Sequence, residues 1–186
     1  MSIAFPDHTG IANVTMRMVN TTAISTSPFT GVQQTQSYPN ERWEADVTLP
    51  PMRRADAALW CAWLASLRGR AGTFTMGDPL SAAPTGTATS ATVTGAAEAN
   101  EITVTMTGTL LAGDYIQIGV GYHMVLADQD GNGTLSIWPA LRASVTDVAA
   151  VLTGAVGTFR LMSDENGWNV NSASQYGITF SAHEAY

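Results

Sequence analysis

The sequence predicts a mainly β protein with a single helix, followed in the chain by a second small β-barrel or sandwich unit. Three observations predict it. Apolar and polar residues alternate with period two near both ends and through the middle. Only one stretch carries a helical period. Charged residues make up just 12% of the 186 residues, about half the usual share of ~25%, with Thr, Ser, Ala and Gly in their place. A hydroxyl-rich surface suits strands better than helices.

Val14, Met16 and Met18 alternate with Thr15 and Arg17, and Trp43, Ala45, Val47 and Leu49 alternate with Glu44, Asp46 and Thr48. Both patterns predict half-buried strands. Ser27-Pro28-Phe29-Thr30-Gly31 predicts a turn, and Val32 to Ser37 a further strand. Pro50 and Pro51 end the second pattern. A helix then runs from about Arg53 to Arg68, with Leu59, Trp60, Trp63, Leu64 and Leu67 as its apolar stripe. Ala-rich filler favours it, and Gly69 fits the position that ends it. Thr73 to Met76 reads as a strand closed by Gly77-Asp78-Pro79.

The composition shifts at Ser81. Ser81 to Ala97 is nearly all Ser, Ala, Thr, Gly and Pro, either a linker or the frayed first strand of a new unit. Strands follow around Ile102–Met106, Asp114–Ile118, Tyr122–Ala127 and Thr134–Trp138, with turns at Gly119–Gly121 and Asp130–Gly133. So many short strands in so few residues predict a small barrel or sandwich. Ser144 to Leu152 holds a helical turn or a short strand. Alternation returns at Phe159 and Leu161 and at Ile178, Phe180 and Ala182, with a turn at Asp164-Glu165-Asn166-Gly167. The domain expectation is therefore a split first unit, residues 1–80 and 158–186, with residues 81–157 inserted in it.

The formal net charge is −7, and all eight basic residues are Arg. An acidic chain without lysine is poorly suited to holding nucleic acid, which needs clustered cations. Asp56 interrupts the one concentration of basic residues, Arg53, Arg54, Arg68 and Arg70. No run of 18 apolar residues is present, so no membrane insertion is expected. Met1 to Gly10 lacks the charge and apolar run of a signal peptide, and Asn13, Asn20 and Asn132 in N-x-S/T triplets read as chance. Cys61 stands alone, so no intrachain disulfide forms; it reads as an inert buried thiol.

No catalytic apparatus is legible. There is no G-x-S-x-G elbow, no phosphate loop, and Gly119-x-Gly121 lacks the third glycine of a dinucleotide fingerprint. His8, His123 and His183 are scattered, which gives zinc little support. Glu44, Asp46, Asp164 and Glu165 read as solvated surface. Catalytic residues, cofactor-binding residues and metal ligands are thus all expected to be none, and the protein is not expected to be an enzyme; a glycosidase or peptidase ranks third among the readings. Trp138, Trp168, Tyr176 and Tyr186 suggest a sugar-stacking platform as a rival to packing.

Several pieces in order carry a resemblance. They are Ser27-Pro-Phe-Thr-Gly-Val-Gln-Gln, then Glu41-Arg-Trp-Glu-Ala-Asp-Val-Thr-Leu-Pro-Pro-Met, then the Trp helix, Leu67-Arg-Gly-Arg-Ala-Gly-Thr-Phe and Gly77-Asp-Pro. Ala112-Gly-Asp-Tyr-Ile-Gln-Ile-Gly, Trp138-Pro-Ala-Leu-Arg and Gly157-Thr-Phe-Arg-Leu follow. Together they resemble small tail proteins of long-tailed bacteriophages, most nearly the distal tail protein. The resemblance implies a tail-tube-like β-sandwich with one helix, assembled as a hexameric ring. The ring would join the tail tube protein to the tail tip or baseplate hub proteins. It implies a structural protein of the virion tail, made in the host bacterial cytoplasm. The alternative is a β-sandwich carbohydrate-binding or adhesion module.

Asp128-Gln-Asp130-Gly-Asn132-Gly133 opens like a calcium loop, but Pro139 stands where a bidentate Glu is required. Calorimetry is expected to show no binding at about millimolar calcium. A micromolar constant lost in Asp130→Ala would reverse that assignment.

Overall fold

The computed structural model describes residues 3–6 and 10–185. The alternating segments become β1 (Asn13–Thr26) and β2 (Gln33–Thr48), joined by the turn at residues 28–30. Helix α1 (Arg54–Leu67), a 3-10 turn (Gly69–Ala71) and β3 (Phe74–Met76) follow. The middle of the chain supplies β4 (Ser90–Gly95), β5 (Glu101–Thr107), β6 (Thr109–Leu110), β7 (Tyr115–Ile118), β8 (Gly121–Val125), β9 (Gln129–Asp130), β10 (Gly133–Trp138) and β11 (Val145–Val151). The chain ends with β12 (Gly157–Leu161), β13 (Trp168–Val170) and β14 (Tyr176–Glu184).

These strands form two bodies. An antiparallel sheet has the order β1-β2-β14-β12-β3, with β13 paired to β14. A closed antiparallel barrel has the order β10-β5-β4-β11-β7-β8. The fold is mainly β with one helix, and closure resolves the choice between barrel and sandwich for the middle strands. The sheet draws its strands from both ends of the chain, with β14 inserted between β2 and β12.

The sheet's core follows from its alternation. Trp43, Ala45 and Val47 of β2 and Ile178, Phe180 and Ala182 of β14 all point to the helix side and are buried. Helix α1 covers them with Ala57, Trp60, Trp63, Leu64 and Leu67. Leu59, expected in that stripe, is 42% exposed. One residue is 100° of helix, so Leu59 falls at the stripe's flank while Ala57 completes the buried 57-60-64-67 spacing. The Trp63 ring centroid lies 5.1 Å from Phe74 and 5.5 Å from Phe180. Phe5 wedges beside it at 5.0 Å. The helix stops in the left-handed region, shared by Arg68 (φ 51°) and Gly69 (φ 64°). A side chain at Gly69 would also strike Asp164, 2.6 Å from the position of its Cβ.

The barrel has its own core of Val93, Ile102, Val104, Ile116, Val125, Leu135 and Ile137. Ser81 to Ala97 divides in two. Ser90–Gly95 is a full barrel strand. The residues before it are pinned rather than loose: the Asp114 carboxylate accepts the Thr85 and Gly86 N–H groups at 2.6 and 3.2 Å, and Leu111 N–H at 2.9 Å. Burial works to raise the Asp114 pKa, but these N–H groups outweigh it and hold the carboxyl below its ordinary range. Residues 145–151 are strand rather than helical turn. Two short pairings escaped the alternation analysis, β6 with β9 and β13 with β14. Two or three residues are too few to show a period. The Asp128–Gly133 turn lies in the connection between β8 and β10, which pair antiparallel, and β9 within that connection pairs with β6.

Helix α1 starts badly. Its N-cap, Arg53, makes no side-chain capping bond and places a cation against the helix's positive end, with Arg54 beside it. Arg53→Asp is expected to stabilise the protein by about 1 kcal/mol, seen as a melting temperature raised by roughly 2–4 °C. A lowered melting temperature would count against this account of the helix start.

Candidate functional site

The most unusual surface is the arm made by the outer halves of β1 and β2. The two strands pair from Asn13↔Thr48 to Val19↔Arg42, slip register, and pair again from Thr21↔Tyr38 to Thr26↔Gln33. Pro39 explains the slip, since it has no N–H for the ladder and is tolerated in strands at bulges. Beyond the bulge six residue pairs continue for about 20 Å. Every residue from 21 to 40 is exposed except half-buried Ser27. Yet residues 20–40 contain no Asp, Glu, Lys or Arg. Ile24, Phe29 and Val32 are 63%, 95% and 67% exposed. A two-stranded ribbon with no core is marginal in water by itself. The signal for this feature was present in the sequence as a long charge-free interval; what the sequence lacked was the knowledge that both faces are bare.

The base of the arm is clamped to the barrel. The Trp138 indole N–H donates to Asn20 Oδ1 at 2.8 Å, inside the bulge. Ala140 N–H donates to Glu41 Oε2 at 3.0 Å. The Arg142 guanidinium donates to the carbonyl oxygens of Glu41 and Pro39. Trp43 meets Trp138 edge to face with centroids 4.6 Å apart, and its indole N–H donates to the Tyr122 carbonyl at 2.8 Å. Tyr122 stacks on Tyr115 at 4.9 Å, and its hydroxyl accepts Asp78 N–H at 3.0 Å. Four aromatic rings from both bodies thus form one buried seam. Burial pushes the Tyr122 phenol far above its ordinary pKa.

Two further titratable groups are buried at this seam. Glu184 is 4% exposed and accepts Trp43 N–H at 3.3 Å. Burial raises its pKa, against the opposing pull of that N–H and of Arg142. His123 is 3% exposed, and its Nδ1 lies 2.7 Å from the Pro139 carbonyl oxygen. Burial lowers its pKa to about 4, helped by the Arg142 charge and opposed by the Pro139 bond.

On the sheet's other face a polar row runs across four strands: Arg17, Glu44, His183 and Arg160 are successive register neighbours. Arg42 donates twice to Glu44, and Arg17 pairs with Asp46 at 2.5 Å. Burial, then Arg42, Arg160 and Arg70, hold the His183 pKa below its usual value. The exposed Arg17–Asp46 pair is worth little stability, whereas Arg42–Glu44 is partly buried.

The sequence-derived candidates separate. Arg53 and Arg54 stand at one end of α1 and Arg68 and Arg70 at the other, about 20 Å away. Of the proposed aromatic platform, Trp138 is 8% exposed in the seam, whereas Trp168 is 51% exposed on β13 with Tyr176 on the neighbouring strand. Tyr186 and His8 lie outside the described residues. Asp128 and Asn132 spend their side-chain oxygens on Ala112 N–H and Met106 N–H. No group of three or more His, Cys, Asp or Glu among the described residues is placed to hold a metal. Cys61 is partly buried, and burial raises its thiol pKa. No described helix is long and apolar enough to cross a membrane.

No protein-family model matches this chain, and no curated protein matches it.

The buried imidazole gives a measurable pH dependence. An unfolded His titrates near 6.5, and folded His123 near about 4. Between those values the unfolded chain takes up a proton that the folded chain refuses. His123 therefore costs nothing above pH ~6.5 and destabilises progressively as pH falls toward 4, by up to about 3 kcal/mol. Glu184 has the opposite sign, because its raised pKa favours the folded state at low pH. Comparison with His123→Asn isolates the imidazole: from pH 7 to about 4.5 the wild type is expected to lose about 2–3 kcal/mol more by urea unfolding. Equal losses would place the imidazole in contact with water.

Proposed function

We propose that this protein is a structural subunit of a bacteriophage tail, a ring-forming distal tail protein that links the tail tube to the tail tip or baseplate hub. The observation that carries the reading is the charge-free arm on an unguarded edge. β1 is a 14-residue edge strand with one charged side chain, Arg17, and no Pro. Monomeric proteins blunt such edges with charge, Pro or brevity, because an open ladder recruits another chain. Permanent interfaces are depleted of charge in the same way as residues 20–40. An arm rooted in one body and bare on both faces fits a contact with a neighbouring copy.

A ring needs one patch to meet a different patch on the next copy with a rotation that closes. The sheet offers two unlike edges, long β1 and short β3. The resemblance to tail proteins supplies the number six and the neighbours, the tail tube protein and the hub. On this reading the protein acts by assembly, not catalysis, with no cofactor, in the virion tail. Six copies would carry six times the −7 of one chain. A bore lined by such subunits lets DNA pass without retaining it, though 0.15 M salt screens the repulsion beyond about 8 Å.

The rival reading, a carbohydrate-binding or adhesion module, draws on exposed Trp168, a candidate stacking surface. A glycan-array signal abolished by Trp168→Ala would favour it.

Native mass spectrometry and negative-stain images of the purified chain are expected to show a closed ring, with six copies. Replacing residues 24–35 by an Asn-Gly turn, which keeps the Ala23↔Gln36 pair, is expected to leave a monomer whose melting temperature stays within about 3 °C of the parent, since the removed residues touch no core. A full-length chain that stays monomeric both alone and with the tail tube protein would end the ring proposal. Salt-sensitive micromolar DNA binding in a gel-shift titration would remove its electrostatic half.

A further inference from the structure

One mouth of the barrel is unfilled. At the end bearing the β7–β8 turn a cavity of about 300 Å³ opens, walled by Ile118, Val120, Leu141 and Val145. That volume sits at the lower end of small-molecule sites, and barrel mouths are one of their usual places. Three polar side chains stand in its wall, His123, Arg142 and Glu184. Glu184 accepts Trp43 N–H and Arg142 donates to backbone carbonyls at the seam, whereas the imidazole has one nitrogen turned to the cavity.

The state of His123 follows from its partner. A carbonyl oxygen only accepts, so the 2.7 Å contact with Pro139 fixes the proton on Nδ1. With its pKa lowered to about 4 by burial, the ring is neutral at physiological pH. Nε2 is then a bare acceptor. No donor among the described residues reaches it. Glycine at position 121 keeps it open: a Cβ there would stand 2.6 Å from Nε2. Gly121 also lines the cavity, so the missing side chain is what exposes the nitrogen to it. A molecule that enters the cavity with a donor can therefore hydrogen-bond this nitrogen away from bulk water.

We propose that this barrel mouth is a binding site for a small neutral aromatic molecule of the phenol or indole class. Its hydroxyl or N–H donates to His123 Nε2, and its ring lies against Ile118, Leu141 and Val145. Apart from Arg142 and Glu184, which are partnered at the seam, the walls are apolar and disfavour a charged ligand, which would lose its hydration there. One donor suffices, since the mouth presents one open imidazole nitrogen. Sugars, which need several polar partners, do not match it. The site is independent of the ring reading, because the cavity lies within a single chain.

The test is a titration of the full chain with p-cresol, followed by NMR, with toluene as the isosteric control lacking the hydroxyl. A ligand of that size is expected to bind with a dissociation constant of about 0.1–1 mM. p-Cresol should bind about tenfold more tightly than toluene, one hydrogen bond's worth. The 15N resonance of His123 Nε2 should shift with p-cresol and stay still with toluene. Gly121→Ala, which covers Nε2, should abolish the tenfold preference. Should that variant misfold, His123→Leu serves the same purpose by removing the acceptor. Equal affinities for the two ligands, an unmoved His123 resonance, or no shift of the mouth residues at about 10 mM p-cresol would each overturn the proposal.

Discussion

The indole of Trp43 sits where the two bodies of this protein become one, and much of the architecture depends on that placement. Its ring belongs to the sheet core by strand alternation, yet its N–H donates to a carbonyl of barrel strand β8 and its edge meets Trp138 of β10. Buried indoles usually find an acceptor. Here the acceptor comes from the other body, so satisfying one polar group also docks the barrel. Tyr122, Trp138 and Ala155 are barrel-side residues counted in the sheet's core for the same reason. The seam is apolar in the middle and hydrogen-bonded at its margins, through Asn20, Glu41, Arg142 and Asp78. Such a seam resembles a permanent interface more than a hinge.

The seam lies directly under the bulge from which the arm departs. The bulge releases backbone groups that a regular ladder would have paired, and the loop at residues 138–142 takes them up. The arm is thus anchored at its root by the barrel, while its far half is left exposed by the described residues. That combination favours transmitting a contact at the arm's tip to a stiff base. A free ribbon would have to be ordered on binding, at a cost of about 1–2 kcal/mol of backbone entropy per residue. Strand pairing already made within the chain reduces that cost.

The acidic balance of the chain is uneven. Residues 81–157 hold six carboxylates and one arginine, Arg142, while the remaining arginines lie on or beside the sheet. Arg142 is spent on backbone carbonyls at the seam. With Asp114 buried, the charges the barrel shows its surroundings are nearly all the carboxylates of Glu98, Glu101, Asp128, Asp130 and Asp147 on an otherwise neutral surface, whereas the sheet carries both signs. In an assembly this difference orients subunits more than it stabilises them, because complementary charge sets register and approach while apolar contact supplies affinity.

Local periodicity in the sequence determined the elements long enough to repeat. Period two marked β1, the second half of β2, β5, β12 and β14, and the Trp-rich stripe marked α1, because each buries one face against a continuous core. The composition breaks at Ser81 and the first barrel strand begins at Ser90, while the returning alternation at Phe159 falls within β12 of the sheet. Strand neighbours, barrel closure and the two short pairings were decided only in three dimensions, because hydrogen-bond partners far apart in sequence leave no periodic trace. The same holds for the sites. The charge-free interval at residues 20–40 was visible as composition, but its exposure on both faces depends on what packs elsewhere. His123 read as a scattered histidine. Its role depends on a carbonyl sixteen residues away at Pro139 and on the missing side chain of Gly121, a conjunction of distances that no single stretch of sequence contains.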